Sequence, residues 1–244
     1  GMYLLCLGND DLGCANLHLN RAIQIDGDQS YYDLSDSLTI YRDLLENARR
    51  AVNKENYNIG IEDYESVINR FPNRAIPYYE LGVLYEIIND RVNAIKYLNQ
   101  AITYNPNKEQ YKLAVYGIAQ SISREADEDS RRQDFNSAIP KYIEAISYYP
   151  EFTQAYFQLA KAFYSLGDYK QAKSYLLQCL DLNPNQLQPL MMLATIYKKM
   201  KDSMSAEKYY RKAIKVDPNS YKAHFKLGTL LMKQDLNSAR MSLQ

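Results

Sequence analysis

The chain has 244 residues, of which 46% are hydrophobic and 24% are charged. Its 29 basic and 29 acidic residues give a formal net charge of zero, which argues against a nucleic-acid partner held by a general basic excess. No apolar stretch approaches the roughly 18 residues that span a bilayer. We therefore expect no nucleic-acid binding and no membrane insertion. No targeting signal is visible in the sequence, so the compartment is not determined. The cytoplasm is weakly favoured over other locations.

Prolines punctuate the chain at a fixed interval. Pro72 and Pro106 lie 34 residues apart, and the same interval separates Pro150, Pro184 and Pro218. A small residue follows most of these prolines after ten positions, and a second small residue follows twelve positions later. The first set is Gly82, Ala160, Ala194 and Gly228, and the second is Ala94, Ala172 and Ala206. Because small residues let two helices approach closely, the period predicts two packed amphipathic helices.

This pattern resembles the tetratricopeptide repeat family, in which an aromatic residue, Leu-Gly, Tyr, Ala and a terminal Pro recur over 34 residues. Residues 75–108 match it closely, through Tyr78, Leu81-Gly82, Tyr85 and Ala94. The resemblance implies an all-α fold, namely a right-handed superhelical solenoid of antiparallel helix pairs. It also implies a protein-binding role.

Taken in chain order, the period predicts one solenoid domain over residues 1–244. Its parts are a partial repeat at 1–28, a linker and helix extension at 29–40, repeats at 41–74, 75–108, 109–152, 153–186 and 187–220, and a partial or capping repeat at 221–244. The helix that follows the linker is expected to begin at about Ser37. Incomplete repeats at both ends expose apolar surface, which predicts either a piece of a longer array or association through the end repeats.

The 109–152 repeat is ten residues too long. We assign the excess to the charged segment 124–134, between the two helices of the repeat, because eight of its eleven residues are charged. Such a segment is expected to be a solvated helical extension outside the core. The alternative, a cation or partner contact made by Asp127, Glu128 and Asp129, lacks the spacing of a calcium loop.

Charge is distributed unevenly along the repeats. Residues 1–74 carry seven basic and twelve acidic side chains, whereas residues 187–244 carry eleven basic and four acidic ones. Most charge runs are solvated surface, but the basic end could also steer an acidic partner.

Nothing in the sequence indicates catalysis. No nucleophile, phosphate-binding or metalloprotease motif is present, and the two histidines, His18 and His224, lie too far apart in the repeats to share a site. His224 occupies the repeat position of Tyr78, which favours a packing role. Cys6, Cys14 and Cys179 lack the spacing of a metal site and are expected to be free thiols. We predict no enzyme activity, no cofactor and no metal.

The first helix of each pair is expected to line a concave surface, and its residues not used in packing against the second helix would face a ligand. These candidate groove residues are Tyr79, Glu80, Val83, Glu86, Phe157, Gln158, Lys161, Tyr164, Met191, Thr195, Lys198, Phe225, Lys226, Thr229 and Met232. Aromatic and Met anchors ringed by polar groups suit a peptide ligand.

The sequence therefore predicts a non-enzymatic scaffold that binds a protein or peptide of unknown identity. Two alternatives stay open: an accessory region of a larger enzyme or membrane-associated protein, and a structural unit that associates end to end. One subclass of the family grips chaperone C-termini through paired Lys and Asn residues. The corresponding pairs here are Leu45 and Arg49, Tyr79 and Val83, and Phe157 and Lys161, so we do not predict that activity.

Overall fold

The computed structural model describes residues 12–242, and this part of the chain is entirely helical. Its helices are α1 (Leu12–Ile25), α2 (Gln29–Asn53), α3 (Tyr57–Arg70), α4 (Ala75–Ile87), α5 (Arg91–Tyr104), α6 (Glu109–Arg131), α7 (Phe135–Tyr148), α8 (Thr153–Ser165), α9 (Tyr169–Leu182), α10 (Leu187–Lys199), α11 (Ser203–Val216) and α12 (Tyr221–Ser242). Helices adjacent in sequence pack against each other, and their short connections make them antiparallel. The all-α fold of antiparallel helix pairs is confirmed.

The chain divides into two compact units, Gly1–Ile118 and Ala119–Gln244, and the boundary falls inside α6. The single-domain assignment, the repeat bounds and the right-handed superhelix stay predictions. No helix among residues 12–242 combines the length and the apolar character needed to span a membrane.

The turn between the two helices of a pair has the same construction along the chain. One residue adopts the left-handed conformation, and the residue after it is the N-cap of the next helix. The left-handed residues are Glu55, Asn89, Gln133, Gly167 and Lys201. In most of these turns the following residue is an aspartate whose carboxylate accepts a hydrogen bond from a backbone N–H of the first helical turn, as Asp202 does from Ser205 at 3.0 Å. This N-cap satisfies a donor that has no partner within the helix.

Small residues lie where the two helices of a pair approach each other. At Gly82, an added Cβ would lie 2.8 Å from Leu98 Cγ and 3.1 Å from the carbonyl oxygen of Ala94, so this position has no room for a side chain without local movement. Ala160, Ala194 and their counterparts Ala172 and Ala206 are fully buried. The close approach that the period predicts is thus present in these pairs.

The charged segment 124–134 is not an addition between two helices. Residues 124–131 continue α6, and Gln133 and Asp134 form the same turn as in the other pairs. Ala126 is buried and packs in one cluster with Ala138 and Tyr142. Ala126 and Ala138 are twelve residues apart, which is also the separation of Gly82 and Ala94 in the 75–108 pair. The prediction of a helical extension is confirmed. The prediction that the segment lies outside the core is wrong, because the register of the repeat passes through Ala126.

The extra turns of α6 lie instead towards its beginning. α6 has 23 residues, whereas α4, α8 and α10 have 13 each. Its early residue Tyr111 is buried in a cluster with Ala75, Tyr78 and Ala101 of the preceding pair. The first part of α6 therefore completes the packing of the 75–108 helix pair.

Three further expectations have definite outcomes. α2 begins at Gln29 rather than near Ser37, with the Asp28 carboxylate accepting a hydrogen bond from the Ser30 N–H at 2.8 Å. Cys179 is a free, buried thiol as expected. Cys14 is disulfide-bonded, so the expectation of a free thiol there is wrong. Cys6 lies outside the described residues.

His224 has a structural contact at its predicted packing position. Its Nε2 lies 3.0 Å from the carbonyl oxygen of Pro218. The Tyr78 hydroxyl donates to the carbonyl of Pro72, also at 3.0 Å, in the equivalent place. Both side chains tie the start of a first helix to the proline turn before it, although the His224 side chain is exposed.

Candidate functional site: a groove formed by α8, α10 and α12

The first helices of the second unit enclose a groove of about 390 Å³. It is lined by Phe157, Lys161, Tyr164, Ser165, Leu187, Gln188, Met191, Met192, Thr195, Ser220, Lys222 and Lys226. These residues come from α8, α10, α12 and the turn before α12, so side chains distant in sequence converge on one surface. We call this surface the α8–α12 groove.

The floor of the groove is apolar and rests on the core. Phe157, Tyr164 and Met192 are half-buried and pack against the buried cluster that includes Met191 and Leu193. The Tyr164 ring also lies 5.4 Å from the Tyr169 ring. Half-buried rings of this kind have one face fixed by packing and another face available for a ligand.

The rim of the groove is basic. Lys161, Lys222 and Lys226 line it, and its lining contains no carboxylate. The Lys161 ammonium donates to the Gln158 side chain at 2.8 Å and lies 5.8 Å from the centre of the Phe157 ring. Lys222 and Lys226 are four residues apart on one helix, which brings their side chains close together. No ion pair joins these three lysines to the rest of residues 12–242.

Six of the predicted groove residues meet in this groove, namely Phe157, Lys161, Tyr164, Met191, Thr195 and Lys226. Met191 is nearly buried, with 9% of its surface exposed, and the Thr195 hydroxyl is bonded to the Met191 carbonyl at 2.9 Å. Lys198, Phe225, Thr229 and Met232 do not line the groove, although they lie on the same helices.

The predicted residues of the first unit have other contacts. Glu80 accepts hydrogen bonds from Arg49 Nη2 at 2.6 Å and from the Tyr64 hydroxyl at 3.1 Å. Burial and the nearby Glu80 carboxylate raise the pKa of Tyr64. The Tyr79 ring packs against the Tyr111 ring at a tilt of 31°, with centroids 4.8 Å apart. These two side chains are therefore engaged within the chain. Val83 is half-buried and Glu86 is exposed on α4.

A second cavity, of about 440 Å³, adjoins the groove and shares Lys161 and Ser165 with it. In its wall the Tyr142 hydroxyl donates to the Asp127 carboxylate at 2.5 Å, and burial raises the pKa of Tyr142. Asp129 accepts a 2.7 Å hydrogen bond from the Lys141 ammonium. Two of the three acidic residues weighed as a cation site are thus bonded within the protein.

Sequence reasoning missed part of the groove lining. Gln188 and Lys222 share one repeat position, and Met192 shares another with Lys226. Lys226 was predicted as a groove residue and Met192 was not. Selecting the same repeat position in every repeat would have predicted Met192 as well. Leu187, Ser220 and Ser165 lie at helix ends, where the helical period gives no direction.

The helix pairs, their left-handed turns and their buried small residues define a helical repeat protein. The tetratricopeptide repeat family model matches residues 75–108, 153–186 and 187–220. These three matched segments, which make up 102 of the 244 residues, are tetratricopeptide repeats. Stacked repeats of this class present extended binding surfaces.

Solved structures similar to this chain include repeat domains of the same type. The TPR2AB domain of yeast Sti1 in complex with pHSP90 is 18% identical, with 93% of this chain and 95% of that chain covered and a TM-score of 0.43. The first TPR of Spaghetti (RPAP3), bound to the HSP90 peptide SRMEEVD, is 16% identical over 48% of this chain and 95% of that chain, with a TM-score of 0.46. The MamA protein is 20% identical over 77% of this chain and 95% of that chain, with a TM-score of 0.37. No curated protein sequence matches the chain.

Proposed function

We propose that this protein is a non-enzymatic interaction scaffold that binds a segment of another protein in the α8–α12 groove. The observation that supports this most directly is the convergence of half-buried rings of α8, methionines of α10 and lysines of α12 on one open surface. Ligand sites are concave and mostly apolar, with a few polar groups that fix orientation. The groove has this composition.

The lining also indicates the chemistry of the segment. Phe157, Met191 and Met192 would hold an apolar anchor side chain, since anchors buried among aromatic and flexible apolar groups supply most of the affinity of an interface. Lys161, Lys222 and Lys226 would then lie beside the anchor, and their charge favours carboxylates on the segment. The expected ligand is a peptide with one or two large apolar residues flanked by Asp or Glu.

The experiment begins with selection of peptides of about twelve residues from a random display library against the full chain. The affinity of the selected peptides is then measured by fluorescence anisotropy for the wild type and for Phe157→Ala with Tyr164→Ala. Loss of two ring contacts is expected to weaken binding by about tenfold or more. Circular dichroism should show almost unchanged helicity. Phe157→Leu provides a milder variant if the double change destabilises the second unit.

A matched control removes two exposed apolar side chains from second helices of the same unit, Leu182→Ala with Met204→Ala. This control should bind like the wild type. Raising the salt concentration should weaken binding, because charge pairs at a rim are screened. The proposal fails if the selected peptides bind equally well to the wild type and to the groove variants. Loss of helicity in Phe157→Ala with Tyr164→Ala would instead mean that these rings are core residues.

A further inference from the structure

Helix α12 carries a stripe of large apolar side chains that nothing in the described structure covers. Tyr221, Phe225, Met232 and Leu236 are 73%, 70%, 60% and 64% exposed. They are separated by four, seven and four residues, so they follow one another along a single face of the helix. Its buried residues, Ala223, Leu227 and Leu230, lie on the opposite face. We call the exposed set the α12 stripe.

The centre of the stripe has room for another helix. Gly228 lies between Phe225 and Met232, and an added Cβ there would meet nothing within 4 Å. Gly82, at the same repeat position in α4, would clash with Leu98 of its second helix. In the 75–108 pair this glycine is covered by a helix, whereas α12 runs on for 22 residues as a single helix. A glycine that is open on an apolar face permits close approach of a partner helix.

The order of residues along the stripe is self-complementary. The spacing of four, seven and four reads the same in both directions, with its midpoint between Gly228 and Thr229. If a second α12 is laid antiparallel about a two-fold axis at that midpoint, Phe225 lies opposite Met232 of the second copy. Tyr221 lies opposite Leu236 of the second copy in the same arrangement. A two-fold contact of this kind is the commonest way in which identical chains associate.

The matching of apolar residues also determines how many copies associate. A head-to-tail arrangement would not reproduce it, because it generates an open series rather than a closed pair. Lys222 and Asp235, which are exposed and equally distant from the midpoint, lie at opposite edges of the stripe and do not face each other in this pairing.

We propose that the α12 stripe is a self-association surface that joins two copies of this chain by antiparallel pairing of their α12 helices. Four large side chains per copy, each more than half exposed, remove on the order of 500 Å² from water, or about 1,000 Å² in total. This lies at the lower limit of specific interfaces, so the dimer forms in the micromolar range. The proposal is independent of the α8–α12 groove, whose lining contains no stripe residue.

Analytical ultracentrifugation of the full chain from about 1 to 100 µM tests the pairing. The wild type should move from monomer to dimer over this range and form no larger species. Phe225→Asp introduces a charge at the centre of the contact and should weaken the dimer by about 30-fold or more. Met204→Asp changes a methionine on α11 that is 84% exposed, and should leave the dimer unchanged.

Exchanged side chains test the antiparallel register. Met232→Lys, like Phe225→Asp, places a charge opposite an apolar side chain and should weaken the homodimer by about tenfold or more. Mixing the two variants should restore association as a heterodimer, because the introduced carboxylate then lies opposite the introduced ammonium, while the second contact keeps its Phe225 and Met232. A wild type that stays monomeric at 100 µM, a dimer that survives Phe225→Asp, an open series of larger species, or a mixture that fails to associate would each overturn the proposal.

Discussion

The rings of Tyr85 and Tyr97 lie parallel, with centroids 5.4 Å apart and an angle of 1° between their planes. They join the first and second helices of one pair. The same stack recurs between Phe163 and Tyr175 at 5.6 Å, and between Tyr197 and Tyr209 at 5.4 Å. The stacked ring pair is thus a repeated device that fixes one helix against the other.

A double-mutant cycle measures the strength of this contact. Tyr85→Leu and Tyr97→Leu, each alone and together, should show a coupling of about 0.5–1.5 kcal/mol in the free energy of unfolding, because the stack is lost with the first substitution. Urea denaturation followed by circular dichroism supplies the free energies. The control cycle joins Tyr85 with Tyr175 of the other compact unit and should show no coupling. Equal coupling in both cycles would contradict a direct ring contact.

Two glycines at one repeat position should respond oppositely to alanine. Gly82→Ala places a Cβ 3.1 Å from a backbone oxygen and 2.8 Å from Leu98, so we expect destabilisation of about 1–3 kcal/mol. Gly228→Ala meets open space inside a helix and should stabilise the monomer by up to about 1 kcal/mol, through helix propensity. Urea denaturation at about 1 µM, where the chain is monomeric, compares the two. Destabilisation by Gly228→Ala equal to that by Gly82→Ala would show that α12 is covered.

The helix pairs were predictable because close packing of two helices requires small residues at the same positions in every repeat. Gly82, Ala160 and Ala194 mark the close approach, and no other residue class fits there as easily. The groove was partly predictable for the same reason, since Phe157 and Met191 share a register position. Its limits were not, because they depend on helix ends and on which side chains find partners within the chain, as Glu80 does with Arg49.

The segment 124–134 shows why composition misplaced one part of the fold. Eight charged residues indicated solvent, yet the register of the repeat runs through Ala126, and the packed turn follows at Gln133 and Asp134. The one small apolar residue of the segment, Ala126, was the feature that showed its place in the repeat register. The sequence did not show that the additional residues lie in the first part of α6. Tyr111 and Val115 are buried there, and they have the same pattern of apolar residues as the helices of a regular repeat.

The Cys179 thiol should be protected from alkylation in the folded protein. Burial raises its pKa to about 11, its side chain is fully buried, and its Sγ lies 3.4 Å from the Thr153 carbonyl oxygen. At about pH 8 both the thiolate fraction and access for a reagent are therefore small. Iodoacetamide labelling of the Cys179 peptide, followed by mass spectrometry, should be slow in buffer and fast in denaturing urea. Rapid labelling of the native chain would show that α9 separates readily from its neighbours.

The N-cap of α11 should contribute to the free energy of unfolding at neutral pH, and this contribution should decrease in acid. Hydrogen bonds from Ser205, its backbone N–H above all, hold the pKa of Asp202 below its ordinary value. Because the folded-state pKa is the lower one, this contribution is fully present above the unfolded-state pKa of about 3.9 and is lost as the pH falls through the folded-state value.

Asp202→Ala should therefore unfold at lower urea concentration than the wild type at about pH 7, and the difference should narrow as the pH falls below about 4. Asp202→Asn keeps an oxygen that accepts from the Ser205 N–H but does not titrate, so it should retain most of the stability at neutral pH with a weaker dependence on pH. Midpoints of urea denaturation at matched pH values provide the comparison. A constant difference between wild type and Asp202→Ala across this range would show that the charge of Asp202 contributes nothing to the cap.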